Sequence, residues 1–100
     1  MAHKIIWSPK AATNLESIYD YISQNSENYA SIFVDRIMVT IDNIPQFPLS
    51  GRKVPEYNDD KIREKILGNY RIVYRIKQKD IIEIVAICHG ARILDPITDQ

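Results

Sequence analysis

The stretch NYRIVYRI, Asn69 to Ile76, decides how the chain folds. Tyr70, Ile72, Tyr74 and Ile76 alternate with Arg71, Val73 and Arg75, the period of two that a strand imposes on its side chains. Its tyrosines, isoleucines and valine are strand formers. Outward from it the same signal repeats. KIREKIL, Lys61 to Leu67, precedes it across Gly68-Asn69. DIIEIVAICH, Asp80 to His89, follows across Lys77-Gln78-Lys79-Asp80. Three adjacent strands joined by short turns predict an antiparallel meander.

The first half has a different period. Lys4 to Trp7, KIIW, is a short run of strand formers. Ser8-Pro9 then supplies an N-cap oxygen and a proline where its missing N–H costs nothing. Leu15, Ile18, Tyr19 and Ile22 follow at helical spacing, and this helix is expected to stop near Gln24–Ser26. Ala30, Phe33, Val34, Ile37, Ile41 and Ile44 form the stripe of a second helix, closed by Ile44-Pro45. The expected fold is α+β: an N-terminal strand, then a two-helix antiparallel hairpin packed on a four-stranded, mainly antiparallel sheet, in the order β-α-α-β-β-β. The first strand is expected beside the last ones. Residues 1–100 read as a single domain. Pro45 to Asp60, with three prolines and Gly51, reads as an ordered surface loop, and loops this long are uncommon without a function.

Alternation also assigns faces. The more apolar set of each strand is expected against the helices: Tyr70, Ile72, Tyr74 and Ile76; Ile62, Glu64 and Ile66; Ile82, Ile84, Ala86 and Cys88. Glu64 breaks the pattern and is expected near an edge. The opposite face then collects Arg63, Lys65, Arg71, Arg75 and His89, with Glu83 as an internal partner. Cys88 is expected to pack inward and Gly90 to supply a backbone conformation costly for larger residues. His89 and Arg92 would project from CHGAR, Cys88 to Arg92.

Composition narrows the functions. Lys+Arg and Asp+Glu both number 13, for a formal net charge of zero. That argues against generic attraction to phosphate and confines any nucleic-acid role to a local patch. One cysteine precludes an internal disulfide and a multi-cysteine zinc site. Two histidines, His3 and His89, show no ligand spacing, so no metal or cofactor is expected. MAHKIIWSPK has no apolar segment long enough for a signal peptide, and no run approaches the ~20 apolar residues of a membrane span. A cytoplasmic protein is expected.

WSPKA, IYDYI, GRKVPE, IREKILGNYRIVYRI and HGAR, in this order from Ile5 to Leu94, resemble the RelE/ParE superfamily of bacterial toxins. The resemblance implies the toxin half of a type II toxin–antitoxin pair, of the kind associated with plasmid stabilisation, with a cognate antitoxin protein as partner. Two chemistries follow from it. RelE-like members cut messenger RNA in the ribosome; ParE-like members poison DNA gyrase and cut nothing themselves. A nuclease needs a base, an acid and a cation for the phosphorane charge, and here it would draw on Arg63, His89 and Arg92. Beyond Arg92, however, ILDPITDQ holds neither tyrosine nor histidine. The ParE-like branch is therefore favoured, with Arg52, Lys53, Arg63, Arg71, Arg75, His89 and Arg92 as target-binding residues. A ribosome-dependent endoribonuclease and a non-toxic antitoxin-binding module are the alternatives.

Overall fold

The computed structural model describes residues 4–78 and 80–91. Strand β1 (Lys4–Trp7) leads into helix α1 (Pro9–Ser23). Helix α2 (Glu27–Asn43) is followed by two single 3-10 turns, Ile44–Gln46 and Pro48–Ser50. Strands β2 (Arg52–Lys53), β3 (Ile62–Leu67), β4 (Tyr70–Lys77) and β5 (Ile81–His89) complete the order. All five strands form one sheet, ordered β1-β5-β4-β3-β2. β1 runs parallel to β5, and the other pairings are antiparallel. The α+β architecture is as expected, with β1 beside the last strand. The additional strand is β2, two residues too short for a periodic signal.

Local chemistry explains the helix ends. Ser8 caps α1 by accepting from the Ala11 N–H at 3.0 Å, with Pro9 in the first turn. Ser26 caps α2 by accepting from Tyr29 N at 3.0 Å. Ala30, Phe33, Ile37 and Ile41 of α2 are buried, as their spacing requires, together with Ala11 and Ile18 of α1. Of these, Ala11, Ile18, Phe33, Ile37 and Ile41 share one core with Ile72 and Tyr74 of β4 and Ile82, Ile84 and Ile87 of β5. A second, smaller core lies on the other face of the sheet, where Val54, Ile62 and Val73 are buried with Tyr57 and Val85 against them. Loop 54–57 covers that face, so the sheet is sandwiched locally instead of presenting one solvated side.

Two of the expected face assignments are inverted. In β3, Leu67 packs on the helix side, and Ile62 lies in the second core. Arg63 and Lys65 stand opposite Tyr74 and Ile72, so they share the helix side; Glu64 faces the other way, opposite Val73. Nor is Glu64 at an edge, because β2 pairs with it through Arg52. In β5 the cause is a bulge: Tyr74 pairs with Ile84 but Val73 pairs with Ala86, which leaves Val85 as the extra residue. An extra residue in a ladder reverses the parity of everything beyond it. Ile82 and Ile84 therefore face the helices as expected, but Ala86 and Cys88 do not. Cys88 stands opposite Arg71 on the far face, half-buried, and His89 stands opposite Tyr70 on the helix side. Ser8 sits at the bulge: its N–H donates to Ile84 O at 3.0 Å and its hydroxyl to Val85 O at 2.8 Å. Gly90 needs no left-handed φ. Its N–H donates to Asn69 O at 2.6 Å, and a Cβ there would lie 3.2 Å from that oxygen.

Tyr74 ties the long loop to the core. Its ring is fully buried, its hydroxyl donates to Pro48 O at 2.6 Å, and the hydroxyl accepts from Gly51 N at 3.0 Å. Burial raises the phenol's pKa above its ordinary value of 10.0, against the opposing pull of the Gly51 N–H and Arg63. A raised value means that this contribution to stability is complete below about pH 10 and is lost as pH rises through the folded value. Tyr74→Phe is expected to cost about 1–2 kcal/mol, because two backbone groups lose their partner. It should also remove this group's share of the alkaline loss of stability. Urea melts of both proteins at pH 8 and above pH 10 check both statements.

Candidate functional site

The expected target-binding residues divide among three places. The first is the far face of the sheet, where charges are arranged as a closed network. Glu64, with a side chain 0% exposed, accepts from Arg71 Nε at 2.6 Å and from Arg52 Nε. Arg71 is only 5% exposed. Its two terminal nitrogens, Nη1 and Nη2, donate to Oε2 and Oε1 of Glu56, each at 2.8 Å. The Glu56 bond and then the Glu64 bond push the guanidinium's pKa further up against the opposing effect of burial, so Arg71 stays charged. Arg75 pairs across the ladder with Glu83, its Nη2 donating at 2.7 Å and its Nε at 3.1 Å. Glu83, expected as an internal partner on this face, thus takes Arg75 as its partner. Lys53 is not on this face, since it stands opposite Arg63; it reaches Asp60 at 2.8 Å, and that bond holds the Asp60 carboxyl below its ordinary value.

The second place is the long loop. Arg63 leaves the far face and lies beside Tyr74. Its Nε donates to Asp60 O at 2.8 Å, and its Nη1 donates to Gly51 O at 3.1 Å. The guanidinium thus binds loop carbonyls and fixes the path of residues 49–60.

The third place is the end of the sheet. His89 lies edge-on to Tyr70, with ring centroids 5.8 Å apart. Tyr70 lies 5.5 Å from Phe33, and Phe33 lies 6.2 Å from Tyr29. This row of rings, with Tyr21 and Asn69, lines a cavity of about 600 Å³. Burial, and then the neighbouring Tyr21, raises the Tyr70 phenol above its ordinary value. Arg92 lies outside the described residues. His89 is therefore on the opposite side of the sheet from Arg71 and Arg75, and it is not within one basic cluster with them.

Sequence reading missed both carboxylates that organise the far face. The polar break at Glu64 was the available signal, since a lone acid in an apolar set implies a buried partner. Glu56 carried no periodic signal, because it lies in a turn outside any strand. Among the described residues, no three His, Cys, Asp or Glu side chains converge to hold a metal ion.

The family model described as the ParE toxin of the type II toxin-antitoxin system, parDE, matches residues 5–94. The chain belongs to the ParE toxin family. It is a toxin of the RelE/ParE superfamily of type II systems. A Sinorhizobium fredii relative named "Putative toxin Y4kP" is 30% identical over 89 residues, spanning 87% of this chain and 88% of that protein. The fold is shared with the chromosomal ParDE system of P. aeruginosa, at a TM-score of 0.72 and 24% identity, over 88% of this chain and 96% of that one. It is shared as well with a free-state mutant of E. coli toxin RelE, at 0.65 and 14%, over 91% and 86%. The S. aureus YoeB dimer matches at 0.59 and 23%, over 89% and 97%. Among the described residues of this ParE family member, no helix is long and apolar enough to cross a membrane.

Proposed function

We propose that this ParE family toxin blocks growth by poisoning DNA gyrase, makes no cut in nucleic acid itself, and is neutralised by a cognate antitoxin. The observation that carries this reading is the internal neutralisation of the basic residues. Arg71 is bonded to Glu56 and Glu64, Arg52 to Glu64, Arg75 to Glu83, and Arg63 to loop carbonyls. Catalysis of RNA cleavage draws on cations aimed at the developing phosphorane charge. Cations committed to the protein's own carboxylates supply little of that stabilisation. The separation of His89 from Arg71 and Arg75 across the sheet weighs against the nuclease reading in the same way. The helical hairpin supports a protein partner. Ile32 and Val39 of α2 are 47% and 59% exposed, and they border, with Leu67, a shallow groove suited to the apolar face of an antitoxin helix.

Incubation of the purified toxin with gyrase, supercoiled DNA and ATP tests the reading. Cleaved DNA trapped on gyrase is the expected result, with growth arrest and a DNA-damage response on expression. Codon-specific cleavage of messenger RNA by translating ribosomes, with gyrase unaffected, would overturn it in favour of the nuclease. Growth without arrest at a matched soluble level would leave an antitoxin-binding module.

A further inference from the structure

We propose that the aromatic cavity at the tip of the helical hairpin is a recognition site for the guanidinium of an arginine side chain, presented by a basic segment of a protein partner. The cavity of about 600 Å³ lies between the last turn of α1, the first turns of α2, the β3–β4 turn and the end of β5. Its size is that of an ordinary small-ligand site. The rings of Tyr21, Tyr29, Phe33 and Tyr70 line it. Along the row Tyr29–Phe33–Tyr70, consecutive rings are tilted by 34° and 54°, so the wall is not a flat stack. Two of the four rings stay open to solvent: Tyr21 is 67% exposed and Tyr29 is 50% exposed. Exposed rings grouped around one cavity, unlike apolar residues scattered singly, mark an interaction site.

Charge selects the occupant. The hairpin from Ala11 to Val34 holds Glu16, Asp20 and Glu27 but no lysine or arginine, in a chain whose net charge is zero. Asp20 and Glu27 are exposed and form no ion pair among the described residues. Helix α1 ends at the cavity, and its last turn carries no basic residue to offset the partial negative charge of a helix C-terminus. His89 is the one basic side chain in the lining, at the exposed rim and packed against Tyr70. An anion would therefore meet neither lysine nor arginine there. A cation would meet aromatic rings, whose faces attract it, and the hydroxyl oxygens of three tyrosines, which accept hydrogen bonds. Of the two cationic side chains, arginine fits better. Its guanidinium is flat, less strongly hydrated than an ammonium, stacks on rings and offers five N–H donors. The proposal does not depend on the gyrase reading, because its test uses the toxin alone.

The test titrates the toxin with the peptide acetyl-Gly-Arg-Gly-amide, and with counterparts in which citrulline or phenylalanine replaces the arginine, all at one ionic strength. Citrulline keeps the flat shape and the hydrogen bonding but lacks the charge. The NMR signals of the tyrosine rings report both place and affinity. The arginine peptide is expected to bind roughly tenfold more tightly than either counterpart and to shift the rings of Tyr21, Tyr29 and Tyr70. Tyr21→Lys, a change at an exposed position, removes a ring and sets a like charge at the cavity. It is expected to weaken the arginine peptide roughly fivefold or more. Equal binding of the arginine and citrulline peptides would overturn the proposal, and tighter binding of the phenylalanine peptide would reassign the cavity to an apolar anchor. Absence of binding by all three, shifts that miss these rings, or an unchanged affinity in Tyr21→Lys would overturn it as well. The comparison of peptides uses the wild-type protein, so it does not rest on a substitution that could unfold it.

Discussion

Replacing Glu64 with glutamine is expected to lower stability by about 3 kcal/mol, the lower end of the cost of breaking a buried ion pair. The side chain is fully buried and accepts from two arginines. Glutamine preserves the shape but removes the charge. Its amide presents either one neutral oxygen or a donor to guanidiniums that need acceptors. Arg71 would keep its bonds to Glu56, which keeps the loss from being larger. Arg52, with a side chain 61% exposed, recovers by turning to water and contributes little. Urea denaturation of wild type, Glu64→Gln, Arg71→Met and the double variant forms the test. A coupling above about 1 kcal/mol between the two positions is expected, since contacting residues are not additive. A loss below about 1 kcal/mol for Glu64→Gln would mean that the network is a solvated surface feature despite its burial.

Gly51→Ala is expected to cost about 2–3 kcal/mol, the upper part of the range of an overpacked core site. The backbone at Gly51 has φ −74° and ψ 153°, which any residue adopts, so conformational strain is not the reason. Space is. A Cβ would stand 2.5 Å from Tyr74 Oη, 2.9 Å from Tyr74 Cε1 and 2.7 Å from the Glu64 carbonyl oxygen. The ring can retreat only by giving up its bonds to Pro48 O and Gly51 N, and the carbonyl belongs to the β-ladder. In a Tyr74→Phe background the penalty should shrink without vanishing, because the hydroxyl is gone and the carbonyl remains. Thermal melts of the four proteins decide it. Full tolerance of Gly51→Ala would show that loop 48–53 shifts freely and that Tyr74 is not its anchor.

The two sites explain why the long loop could be recognised as ordered but not placed. Its prolines and Gly51 marked a shaped connection. Its anchors are Tyr74, Arg63, Glu64 and Arg71, residues of distant strands, and no local pattern couples Glu56 to Arg71. The basic residues were all visible in the sequence. Their partners were not, and the partners decide whether a guanidinium binds a target or its own protein.

By itself the sequence determined the element order apart from β2, the Ser8 cap of the first helix, the buried stripe of each helix and the α+β class. These depend on neighbours within a turn of helix or a pair of strand positions, and a side-chain period records them. It also carried the resemblance to the toxin superfamily through short segments in fixed order. Only the tertiary structure decided the faces. The apolar count in β3 misleads because loop 54–57 builds a second core on the far side of the sheet, which rewards Ile62 there. The bulge at Val85 is one residue opposite none, a mismatch between two strands that neither strand states alone. It turns Cys88 toward Arg71 and His89 toward Tyr70, dividing CHGAR between two sides of the sheet. The period of a strand fixes which residues share a side only while its ladder runs unbroken, and the position of the break belongs to the pairing.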